Sequence, residues 1–133
     1  MTAQESGSDR TQIRQPSKTE KKIPDRFQAS VVILEGYAEG MEYPVERTYA
    51  VIGRSKEAAI PLRDPLASRE HAVILFHDGA FVLKDLDSTN GTHMRGASIR
   101  QRKLHHGDKF RVGDTVLQFI LQDSHKARTY EIR

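Results

Sequence analysis

The chain has 133 residues, 21 Lys/Arg against 18 Asp/Glu for a formal net charge of +3, and no cysteine. That length suffices for one domain with a buried core plus tails, and the missing thiols exclude disulfides, cysteine nucleophiles and thiolate metal sites. The longest apolar runs, 31–34 and 72–76, fall far short of the roughly 20 residues a bilayer requires, and residues 1–8 lack a secretory signal pattern, so a cytoplasmic location is expected.

Residues 1–26 hold six Lys/Arg and four Asp/Glu, leaving fifteen and fourteen for the nearly neutral remainder. Up to Asp25 only Met1, Ala3, Ile13 and Ile23 are apolar, too few to offset chain entropy. The expected organisation is a disordered polar tail over 1–26, a domain over 27–123 and a C-terminal tail over 124–133. Thr11 and Thr19 stand among Arg10, Arg14, Lys18, Lys21 and Lys22 and are candidate phosphorylation sites. A phosphothreonine there could fold back as an intramolecular ligand. The plain alternative is an inert solubilising extension.

From residue 27 the chain reads as short strands separated by turn signals: 29–34, 43–45, 49–52 and 58–62, then 71–76 and 80–86. The last two are joined through His77-Asp78-Gly79, where Asp-Gly supplies the positive-φ residues of a tight turn. Further runs follow at 93–94, 98–99, 110–112 and 116–121, punctuated by Gly96, Gly107-Asp108 and Gly113-Asp114. With no sustained helical period, the fold class expected is all-β, an antiparallel sandwich with functional loops at one end.

Three polar segments lie where strand runs meet turns: Gly53-Arg54, Ser68-Arg69-Glu70-His71 and Ser88-Thr89-Asn90-Gly91-Thr92. Guanidinium groups, hydroxyls and an Asn-Gly turn suit the holding of a phosphorylated side chain better than covalent chemistry. Ser68 and His71 invite a hydrolase reading, but there is no Gly-x-Ser-x-Gly elbow, and at the head of an apolar strand the imidazole is expected to hydrogen-bond to backbone. No enzyme is expected. His105, His106 and Asp108 are not expected to bind metal, because adjacent histidines diverge on a strand or tight turn.

These three segments, in this order, resemble the forkhead-associated (FHA) domain, a phosphothreonine-peptide reader, over about residues 29–121. The resemblance implies a β-sandwich in which Arg54 is the main phosphate ligand, Ser68 supplies a hydroxyl and Arg69 a flanking contact. It further implies a hydroxyl from Thr89 near the phosphothreonine and an Asn90 amide that grips the peptide main chain. Gly53, His71 and Gly91 would support the site, with His71 as a buttress, and Thr92 would pack. The implied partners are a phosphothreonine protein or peptide and a Ser/Thr-kinase pathway, with no cofactor and no membrane. One departure is Arg95-Gly96 where the family often has Asn-Gly, since arginine enters a positive-φ position less readily. The alternative function is a nucleic-acid-binding β-domain using basic loops and tail, against which stands the shortage of aromatics for base stacking; a phosphate-independent scaffold is a third reading.

Overall fold

The computed structural model describes residues 21–124, so Thr11 and Thr19 lie outside the described residues. The strands are β1 (Phe27–Glu35), β2 (Glu42–Val45), β3 (Tyr49–Gly53), β4 (Ile60–Pro61), β5 (Ala72–His77) and β6 (Ala80–Asp85), then β7 (Thr92–Met94), β8 (Ala97–Ile99), β9 (Gln101–Leu104), β10 (Lys109–Val112) and β11 (Thr115–Asp123). They form a five-stranded sheet in the order β9-β6-β5-β3-β4 and a six-stranded sheet in the order β2-β1-β11-β10-β7-β8. Pairing is antiparallel except between β3 and β4, which run parallel.

Period-two alternation puts one face of each sheet into a shared core. Ile52, Ile74, Phe81 and Leu83 come from the first sheet, and Val31, Ile33, Phe110, Leu117 and Phe119 from the second. Phe81 stands 4.9 Å from Phe76 and 5.2 Å from Phe119, ring centre to ring centre, closing the end of the core farther from the candidate loops. Ahead of β1, Ile23 is buried and Lys22 bridges Arg47. Packing therefore begins inside the stretch that composition assigns to the polar tail, because one isoleucine can insert between strands even where its neighbours are charged.

Strand β9 was not legible: Gln101-Arg102-Lys103 is exposed and only Leu104 is buried, the pattern of an edge strand paired on one side with β6. Conversely, the expected run 58–62 yields only the two-residue β4. The β5–β6 hairpin forms as expected, with Asp78 at φ 52° and Gly79 at φ 77° between the paired His77 and Ala80. The β7–β8 turn takes the same geometry despite its arginine: Arg95 has φ 53° and Gly96 φ 79°, between Met94 and Ala97. Tight pairing of β7 with β8 overrides the local preference. Asn tolerates that conformation better, so Arg95→Asn is expected to raise stability by about 0.5 kcal/mol. Urea unfolding checks this, with a lowered midpoint as the contrary result.

Candidate functional site

The three polar segments converge at the end of the sandwich where β3 and β6 finish and β5 begins. Gly53 closes β3 under the backbone of Ser68 and Arg69: the Arg54 N–H donates to the Ser68 carbonyl at 2.9 Å and the Ser55 N–H to the Arg69 carbonyl at 3.1 Å. A β-carbon on Gly53 would overlap the Arg69 carbonyl oxygen and lie 2.9 Å from that of Ser68. Gly53 has no positive φ, so close approach rather than backbone freedom is what demands glycine here.

His71, fully buried, joins two of the loops. Its Nδ1 accepts the Ser68 N–H at 2.9 Å and its Nε2 lies 2.8 Å from the Gly91 carbonyl oxygen. A backbone N–H can only donate and a carbonyl can only accept, so the ring carries its hydrogen on Nε2. Gly91 presents that carbonyl from φ 84°, the left-handed conformation expected for it.

Two carboxylates complete the scaffold, and neither was assigned a role from sequence. Asp64, fully buried, accepts the Leu66 N–H at 2.9 Å on Oδ1, and the Asp114 N–H and Thr115 hydroxyl, each at 2.7 Å, on Oδ2. It pins loop 63–67 to the β10–β11 turn; the Asp64-Pro65 pair, with its preference for a side-chain-bonded turn, was the available signal. Asp85 accepts the Ser88 hydroxyl at 2.6 Å and the Thr92 hydroxyl at 2.7 Å on Oδ1, and the Ser88 N–H at 3.0 Å on Oδ2. Ser88 in turn accepts the Gly91 N–H. Thr92 is accordingly buried, as expected of a packing residue.

The polar groups facing outward remain available. Arg54 spends its Nε on the Ala67 carbonyl at 3.1 Å, which leaves its terminal nitrogens unpartnered among the described residues. The Ser68 hydroxyl accepts the Thr89 N–H at 3.0 Å and retains its hydrogen, while the Thr89 hydroxyl and the Arg69 guanidinium have no partner among the described residues. Asn90 donates from Nδ2 to the Leu66 carbonyl at 2.8 Å, which leaves its oxygen and one amide hydrogen without a partner among the described residues. The amide that the resemblance assigns to the peptide main chain thus ties the Ser88–Thr92 segment to loop 63–67. His105 and His106 lie elsewhere: the His105 N–H donates to Asp108 and His106 Nδ1 accepts the Leu121 N–H. A cleft of about 830 Å³ between Phe27, Phe81, Leu104 and Leu121 also sits at the far end, by the Gly79 turn.

A donor-rich rim on the loops of a β-sandwich defines a recognition module for an anionic peptide. A family model described as FHA domain matches residues 50–113. The transcriptional regulatory protein EmbR of Mycobacterium tuberculosis is 36% identical over 93 residues, 69% of this chain and 24% of EmbR. The oxoglutarate dehydrogenase inhibitor of Corynebacterium diphtheriae is 32% identical over 90 residues, 68% of this chain and 63% of that protein. The chain thus matches about a quarter of EmbR and less than two thirds of the inhibitor. Among solved structures, the FhaA FHA domain complexed with the intracellular domain of Rv3910 superposes with a TM-score of 0.63 at 30% identity, covering 68% of this chain and 98% of that one. EmbR in complex with a low-affinity phosphopeptide gives 0.65 at 31%, covering 72% and 25%. The chain belongs to the forkhead-associated domain family.

Burial works to raise the Asp85 pKa, but hydrogen bonds from Ser88 and Thr92 outweigh it and hold the carboxyl below its ordinary 3.8. A depressed folded pKa contributes stability that is fully present above the unfolded value and lost as pH falls through the folded one. Asp85→Asn should therefore cost about 1–3 kcal/mol at pH 7, with the gap to the parent narrowing below about pH 4. Denaturant midpoints across pH 2–7 test this, and a gap that does not change with pH would contradict it.

Proposed function

We propose that the protein reads phosphothreonine peptides through this rim and acts as an adaptor or docking regulator in cytoplasmic Ser/Thr-kinase signalling. The observation that carries the reading is the division of labour at the rim. Arg54, Ser68, Thr89 and Asn90 hold their loops together with one group and turn a second, unpartnered group outward. A phosphate dianion has acceptor oxygens for the Arg54 fork and the two hydroxyls, with Arg69 at its flank. The Asn90 carboxamide, with one acceptor and one donor left, matches a peptide backbone. Gly53, His71 and Gly91 support these groups without touching the ligand.

The same geometry favours binding over catalysis. His71 takes the N–H of Ser68 and not its hydroxyl, and its second nitrogen is bound to Gly91, so the serine has no activating base in the imidazole. No nucleic acid is needed to account for the rim, whose donors converge on one small anion instead of spreading along a backbone track.

Isothermal calorimetry with a peptide selected from an oriented phosphothreonine library tests the reading. The parent should bind at about micromolar, near −8 kcal/mol, and the unphosphorylated peptide should not compete. Arg54→Ala should lose about 2–4 kcal/mol of binding with its fold intact. His71→Ala should lower the melting temperature as well as affinity. Equal binding of both peptide forms, or a steep salt dependence without phosphothreonine preference, would overturn the proposal.

A further inference from the structure

We infer a second anion subsite beside the rim, formed by His93, Ser98 and Arg111 on the outer face of the six-stranded sheet. It takes an acidic side chain of the same peptide whose phosphothreonine occupies the rim, and it rests on the function proposed above.

The placement follows from alternation and register. Thr92 and Met94 are buried, so His93 between them faces out; Ile99 is buried beside Ser98; Phe110 and Val112 are buried on either side of Arg111. His93 is paired with Ser98 on β8 and with Arg111 on β10. The three side chains therefore stand in one row across β8, β7 and β10, each about 5 Å from the next at Cβ. The row begins at the rim. A β-carbon built on Gly91 would lie 3.3 Å from His93 Cε1 and 3.7 Å from the Ser98 Oγ. Gly91 is the residue that follows Asn90, and its carbonyl is the one that holds His71.

Every member of the row can donate, and none has a partner among the described residues. The next carboxylate along the same row is Glu35, beyond Val116, which pairs with both Arg111 and Glu35. Two strand spacings, about 10 Å, separate it from Arg111. Surplus donors beside a peptide-gripping asparagine call for an acceptor that the protein does not supply. An open row of this kind holds a free anion weakly; a carboxylate or second phosphate tethered to a bound phosphothreonine arrives at an effective concentration up to about millimolar. Arginine provides a planar fork for either group, with the serine hydroxyl and the imidazole N–H as flanking donors.

The test uses the full chain and an oriented phosphothreonine library in which flanking positions are randomised over Asp, Glu, phosphoserine, Gln and Lys. The expected result is enrichment of an acidic residue at one fixed distance from the phosphothreonine. Calorimetry with the selected peptide and its Gln analogue should then show about a fivefold preference for the acidic form, as for an exposed ion pair. Arg111→Gln should erase that preference, and His93→Ala should reduce it. Asp or Glu peptides and phosphoserine peptides distinguish a carboxylate from a second phosphate as the natural occupant. A parent that binds phosphothreonine peptides without acidic preference, or an Arg111→Gln protein that keeps the preference, overturns the subsite alone. Absence of all phosphothreonine binding overturns it together with the reading on which it rests.

Discussion

The rim exists because a buried imidazole has two backbone partners. His71 enters the sandwich at the start of β5 with no exposure to solvent, where an unsatisfied ring nitrogen would cost on the order of 1–3 kcal/mol. Its two bonds satisfy the ring and at the same moment set the distance between the Ser68 and Gly91 backbones. Ser68 carries the hydroxyl that takes the Thr89 N–H, and Gly91 follows the asparagine that holds loop 63–67. Loss of the ring would therefore act on both loops directly, leaving the Asn90–Leu66 and Ser68–Thr89 bonds as the side-chain ties between them.

Asp64 and Asp85 extend the same logic. Each carboxylate gathers three donors, and at each at least one donor comes from the backbone of a different turn or from a threonine at a strand end. Backbone groups satisfied by side chains leave the loops ordered without helices or long ladders. An ordered rim spares the ligand the entropy of arranging four side chains on binding, which is where preorganised sites gain affinity. It also explains why the outward-facing side chains can leave some of their donors unpaired: their positions are held by other bonds.

Much of this was visible in the chain because the site residues sit at strand ends with strong local signals. The Asp78-Gly79 turn, the apolar alternation of β1, β5, β6 and β11 and the order of the three polar segments led to the sandwich and to the rim. What escaped did so for physical reasons. Strand β9 is charged because it lies at an edge, so its pairing leaves no apolar period. The parallel contact of β4 with β3 involves two residues and depends on the path of the loop between them. Asp64 and Asp85 are charged residues that read as surface, and the burial of Asp64 and the donors gathered on both follow only once three turns have been brought to the same place. Gly53 looked like a flexible residue, whereas its requirement is the close approach of the Ser68 and Arg69 backbone, far downstream in sequence, that no local pattern announces.

The central claim is that the rim is assembled before the ligand arrives, locked by the neutral Nε2–H form of His71. The most direct measurement is a through-hydrogen-bond ¹⁵N–¹⁵N coupling between the Ser68 amide and His71 Nδ1, recorded on the free protein and on its phosphothreonine-peptide complex. The account predicts the coupling in both states, with the ring hydrogen on Nε2. A free protein that lacks the coupling, or carries the hydrogen on Nδ1 and acquires the bond only with peptide, would contradict it.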